Sequence, residues 1–272
     1  MERLVTEREF FADRYHCPIL IHVLANLDFP LNFAANLKAT AYMKKQWWKI
    51  LCVGLLLYTI IGGFLMKVPE REVIQESIRN LYFHVCMWFS MMILFTASVV
   101  NAVKYLRKND LKYDNLSRQY AVVGIVFGIL GYSTGMIWAS FTWADPNNPA
   151  SASFASIAKD PKLIGAAIAL LIYFAYLVLR DSIEDLDKKA RISSVYNIFA
   201  FALLFPSIWI IPRILESLHP GGQGNPALNP QDIDARMRMV FYPAVIGWTL
   251  LGVWIVSLKI RMKNLKEKTF YK

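Results

Sequence analysis

The strongest constraint on this chain is a set of six apolar runs, at about 47–66, 82–103, 120–137, 163–179, 195–212 and 240–258. A run of about 18 or more apolar residues with few charges, coiled as a helix, matches the hydrocarbon thickness of a bilayer. Lipid offers no partner to backbone N–H and C=O groups, so an isolated span must satisfy them within itself, as a helix does. Hydrophobic residues make up 56% of the 272, above ordinary globular usage. The sequence therefore predicts an all-α integral membrane protein of six transmembrane helices, and excludes one or two soluble domains.

Charge placement orients the spans. The 104–119 connection carries Lys104, Arg107, Lys108, Lys112 and Arg118, and the 180–194 connection carries Arg180, Lys188, Lys189 and Arg191. The tail carries Lys259, Arg261, Lys263, Lys266, Lys268 and Lys272, while Lys44 and Lys45 precede the first span. Loops 67–81, 138–162 and 213–239 hold fewer basic residues for their length. Basic loops stay in the cytoplasm, so both termini are expected inside and those three loops outside. This bias accounts for the net charge of +10 without any nucleic acid. Cys17, Cys52 and Cys86 form neither a C-x-x-C pair nor C-x-x-C-H, so the chain is not itself a c-type cytochrome. Cys52 and Cys86 read as packing residues of the membrane core.

Residues 1–42 differ from the rest. Their apolar stretch is broken by His22, Asn26, Asp28 and Pro30, too short and interrupted to span, and it lacks the basic lead of a signal peptide. The stretch "MKKQWWKILCVGLLL" from Met43 reads as a membrane-protein start, with two lysines and interfacial tryptophans before a span. Residues 1–42 are thus expected to be an N-terminal extension ahead of a six-span domain at 43–272; an amphipathic interfacial segment is the other reading. Gly124, Gly128, Gly131 and Gly135 follow the small-residue spacing that lets helices approach closely, a packing signal without functional specificity.

Of the four histidines, His16 and His22 lie in the N-terminal segment. His84, near the outer end of the second span, and His219, in the last outer loop, fall on one side of the membrane. Between them runs a loop studded with Trp138, Phe141, Trp143 and Phe154. A neutral imidazole is a good axial ligand for heme iron. Interfacial aromatics offer flat apolar partners to a porphyrin, and Lys159, Lys162, Arg213 or Arg236 could meet its carboxylates. A plain aromatic belt explains the same composition, since Trp and Tyr collect at both interfaces. Composition leaves both readings open.

Order and spacing add a resemblance. "YFHVCMWFSM" at the second span, "GMIWASFTW" leaving the third, "DPKLIGAAIALLIYFAYLVLR" entering the fourth and "RILESLHPGG" after the fifth resemble the heme exporter protein C (CcmC) family. That family belongs to the cytochrome c maturation system, within the wider "WWD" heme-handling superfamily, and the resemblance covers about 47–258. It implies that His84 and His219 are axial ligands of a transiently bound heme b, and that Trp138, Trp143 and Phe141 hold the ring. Asp160, immediately before the fourth span, matches the motif aspartate; Asp145 is the other match. The family loop usually reads like WGxxWxWD, whereas here a longer, Trp-free insertion follows Trp143. The second family histidine commonly falls near the position of Trp209, so Met87, Met136, water or a partner protein are alternatives to His219. The implied role is heme handling without enzymatic chemistry, at the outer face of the bacterial inner membrane. Heme would pass to a CcmE-like heme chaperone, with CcmA/CcmB-like ABC transporter subunits as further partners alongside membrane lipid. The alternative is a heme–apocytochrome c ligase of the CcsA/CcmF type, which usually has more spans and further histidines within the membrane. A bis-histidine electron-transfer cytochrome b places histidine pairs within helices, an arrangement that His84 and His219 lack.

Overall fold

The structure is a computed structural model that describes residues 31–69, 75–145, 147–215, 217 and 233–270. The chain divides into a unit of residues 1–48 and a unit of residues 49–272. Six long helices dominate: α1 (Leu31–Leu65), α2 (His84–Lys108), α3 (Leu111–Thr142), α4 (Pro161–Asp181), α5 (Leu186–Phe205) and α6 (Ala235–Phe270). All six carry a segment long and apolar enough to cross a membrane. Among the described residues there is no strand.

Several helices run past their apolar cores, so two basic connections are shorter than the sequence suggests. Between α2 and α3 only Asn109 and Asp110 remain. Asn109 takes the left-handed conformation at φ 50° and closes α2 through its amide to the Tyr105 carbonyl. Asp110 then caps α3, accepting from the Lys112 amide. Charged side chains continue these helices readily, because Lys and Arg are good helix formers and their long stems suit the edge of a bilayer. Likewise Asp185 caps α5 through the Lys188 amide, a few residues after α4 ends. Helix α1 begins at Leu31, ahead of Met43.

A 3₁₀ segment, Gln75–Tyr82, leads into α2. Its Arg79 donates to the carbonyls of Gly63 (2.7 Å) and Met66 (2.6 Å), two groups that the end of α1 leaves without helical partners. A cation there also opposes the negative end of the α1 dipole.

Helices α2 and α3 pack along their length more extensively than any other pair. The glycine run on α3 explains the approach. A Cβ at Gly128 would lie 2.6 Å from Leu170 and 2.8 Å from Met91, so only hydrogen fits between α3 and its neighbours. The central core gathers Met91, Leu94, Phe95, Phe127 and Tyr173. Phe95 and Tyr173 stack with centroids 3.6 Å apart. Cys52 and Cys86 are buried free thiols near carbonyls of α6. Leu171, Val178, Val195 and Phe199 are all more than half exposed, a surface that suits lipid as its solvent.

Candidate functional site

His84 is the first residue of α2 and is buried, with 7% of its surface exposed. Its Nδ1 lies 2.8 Å from the Gly131 carbonyl and 3.3 Å from the Thr134 hydroxyl. Thr134 Oγ1 is itself 2.7 Å from the Leu130 carbonyl, to which it donates. A carbonyl only accepts, so the ring carries its proton on Nδ1 and donates to Gly131. In the neutral imidazole that leaves the lone pair on Nε2. The Trp88 ring meets the imidazole edge to face, at 6.4 Å between centroids.

His84 opens into a cavity of about 130 Å³. Its walls come from three helices and the segment after α5: Trp88 and Met92 one and two turns along α2, Tyr132, Gly135 and Trp138 on α3, Lys162 and Ala166 on α4, and Trp209. Trp143, the C-cap of α3, closes the loop end. Four indoles, an imidazole and an ammonium thus share one mostly apolar space. Flat π-faces with one nitrogen ligand and one cation suit a planar metal macrocycle that bears carboxylates.

Trp209 reaches the cavity through a local change of helix. At Pro206 the chain passes from α-helix into a π turn, Pro206–Ile210, and the Ile211 amide donates to the Pro206 carbonyl. Proline cannot donate to the ladder, and a widened turn accommodates that loss.

The expected ring platform is redistributed. Helix α3 continues to Thr142, so Trp138 and Phe141 stand on its last two turns and not on a loop. Trp138 lines the cavity, its Nε1 donating to Ser77 Oγ at 3.1 Å. Phe141 is 78% exposed and Phe154 59% exposed; neither lines the cavity. The insertion after Trp143 is built as a cover: a 3₁₀ turn at Pro149–Ala152 and a short helix at Phe154–Ile157 press buried Ala152 and Ile157 against Ala139 and Leu163.

The two aspartates do different work. Asp160 is buried and caps α4, accepting from the Lys162 amide at 2.9 Å. Its two carboxylate oxygens also accept from Ser217 Oγ, at 2.9 and 2.8 Å. Asp145 is exposed and accepts from the Asn147 amide within the loop. Of the basic residues considered for carboxylates, Lys162 lines the cavity, whereas Lys159 and Arg236 are exposed and do not. The Arg213 side chain, His16, His22 and His219 lie outside the described residues. Among the described residues no three His, Cys, Asp or Glu side chains cluster as a metal site.

Sequence reasoning passed over Trp88, Tyr132 and Met92. The signal for Trp88 and Met92 was their spacing from His84, four and eight residues on, which puts all three on one helix face. It also treated the α3 glycines as packing alone, although Gly131 supplies the acceptor for His84 and Gly135 lies against its ring. The family profile of heme exporter protein C matches residues 30–271. No curated protein matches the chain.

Proposed function

Since the chain belongs to the heme exporter protein C family, and so has a role in heme handling for cytochrome c biogenesis, we propose that its cargo is heme b, held in the cavity beside His84. In this reading His84 Nε2 ligates the iron, and Trp88, Trp138, Trp143 and Trp209 contact the ring. Lys162 pairs with a propionate. The site faces the outside of the bacterial inner membrane, and heme leaves it for a CcmE-like chaperone with CcmA/CcmB-like ABC subunits as partners. The observation that carries the reading is the meeting of one buried imidazole, four indoles and one ammonium in a single cavity.

His219 supplies the second axial ligand in this reading. Ser217, two residues before it, is tethered to Asp160 at the start of α4, next to Lys162. That tether supports the assignment, because it brings the chain after α5 toward the cavity rim. Transfer is favoured over ligation because the chain has six spans and, by sequence, His84 is the one histidine within them.

The test is the absorption spectrum of purified protein titrated with hemin. Wild type is expected to give a six-coordinate, low-spin Soret band. His84→Ala should abolish that band or weaken it strongly, and His219→Ala should convert it to high spin with heme partly kept. A low-spin spectrum unchanged by His219→Ala removes His219 from the ligand set. A band unchanged by His84→Ala removes the site.

A further inference from the structure

Against the His84 ring lies a residue with no side chain, Gly135 of α3. A Cβ built on Gly135 would lie 2.6 Å from His84 Cε1, 3.2 Å from Nδ1 and 3.4 Å from Nε2. The first distance is far inside van der Waals contact, and the ring has little room to retreat. Its Nδ1 is held by the Gly131 carbonyl one turn back along α3, at 2.8 Å. Trp88 stands edge-on to it, and a Cβ at Gly131 would in turn meet the Trp88 indole at 3.1 Å. The imidazole therefore sits in a slot formed by the backbone of α3 and one indole, and the slot needs glycine at position 135.

We propose that the Gly131 carbonyl and the bare backbone at Gly135 are the positioning elements for His84, fixing its Nδ1–H tautomer and presenting Nε2 as the ligating nitrogen. The consequence rests on the heme reading above; the tautomer itself does not. A neutral carbonyl polarises the imidazole less than a carboxylate partner would. Such a ligand binds iron without holding it as strongly as a carboxylate-backed histidine, which suits a protein that gives its cargo away.

The experiment compares Gly135→Ala with Gly128→Ala in the full chain. Gly128 is an internal control because its Cβ would also meet neighbours at 2.6 and 2.8 Å, but these are Leu170 and Met91. The first readout uses no heme. In ¹⁵N-histidine NMR, with the His84 signals assigned by their loss in His84→Ala, wild type and Gly128→Ala are expected to show the Nδ1–H tautomer. Gly135→Ala should show a mixed or inverted one. The second readout is hemin titration, where displacing a ligand from its supporting shell typically costs about 10- to 100-fold in affinity. Gly135→Ala is expected to lose that much and to regain low-spin heme on addition of imidazole, while Gly128→Ala keeps the wild-type spectrum. An Nε2–H tautomer in wild type, or Gly135→Ala with wild-type tautomer and affinity, overturns the proposal. If Gly135→Ala does not fold, His84→Gly/Gly135→Ala decides, because it removes the ring that the new methyl would strike. Folding of that double variant supports the proposal, and its failure to fold overturns it. Wild type that shows the expected tautomer yet takes up no hemin would defeat the heme reading and leave the positioning intact.

Discussion

Asp114 and Arg180 form a bidentate pair, Nη1 to Oδ1 at 2.7 Å and Nη2 to Oδ2 at 2.5 Å, with both side chains under a tenth exposed. They join the first turn of α3 to the last turn of α4. A buried pair adds little over a well-packed apolar substitute, but removing one partner strands the other charge, at about 3–5 kcal/mol. Arg180→Met is therefore expected to lower stability by that much in detergent, and Asp114→Leu/Arg180→Met to recover most of it. A double variant as unstable as the single one would show that packing, not charge, is responsible. Asp160 makes a second residue-scale case. Its cap to Lys162 carries about 0.5–2 kcal/mol in typical helices, and it also holds Ser217. Asp160→Ala should raise amide exchange over the first turn of α4, whereas Asp145→Ala, in an exposed turn, should leave that turn unchanged. The resemblance pointed to Asp160 as the motif aspartate before the fourth span, and Asp-Pro before an apolar run is also a helix start. The Ser217 tether was not legible, since it joins residues separated by a whole helix hairpin.

Among the elements, the spans were the most legible feature, because hydrophobic length is a local property. Their ends were not. Leu111–Lys112 and Leu186–Asp187 look like loop in a hydropathy reading, yet they lie inside α3 and α5, each just past an aspartate cap. The stretch after Trp143 was legible only in part. Its Pro, Asn and Ser content marks turns correctly, but nothing local says that Ala152 and Ile157 fold under to meet Ala139 and Leu163. That contact makes the insertion a fitted lid on the loop end of α3. Ile157 is 2% exposed, so Ile157→Ala removes buried methyl groups whose loss in a packed site costs about 2–5 kcal/mol. The cost should fall on the lid. Limited proteolysis within 145–158 is expected to speed up markedly while the helices stay intact; an unchanged cleavage rate would mean that the lid is held from elsewhere. The indole of Trp209 was hidden for a related reason. Its direction depends on the π turn at Pro206–Ile210, and periodicity arguments assume an unbroken α-helix.

At the scale of the whole molecule, the bundle has two chemically different ends. One carries the cavity, with His84, Lys162, Trp138 and Trp143. The other carries the Asn109–Asp110 turn, the Ser182–Asp185 turn and the basic end of α6. The basic residues of those two connections and of the α6 end therefore lie away from the cavity, and a positive-inside assignment puts the cavity outside. The assignment stands on many charges at once: Lys104, Arg107, Lys108 and Lys112 near one turn, Lys188, Lys189 and Arg191 near the next, and five basic residues from Lys259 to Lys268. Each lysine or arginine near the cytoplasmic surface contributes about 1 kcal/mol in the field of anionic lipid, so no single substitution should invert the protein. Reporter fusions at 113 and 187 are accordingly expected to read cytoplasmic, and fusions at 150 and 225 external. Neutralising one loop should weaken the signals without exchanging them. An external signal at 187 would invert the bundle and put the His84 cavity on the cytoplasmic face, which would overturn the proposed delivery at the outer face.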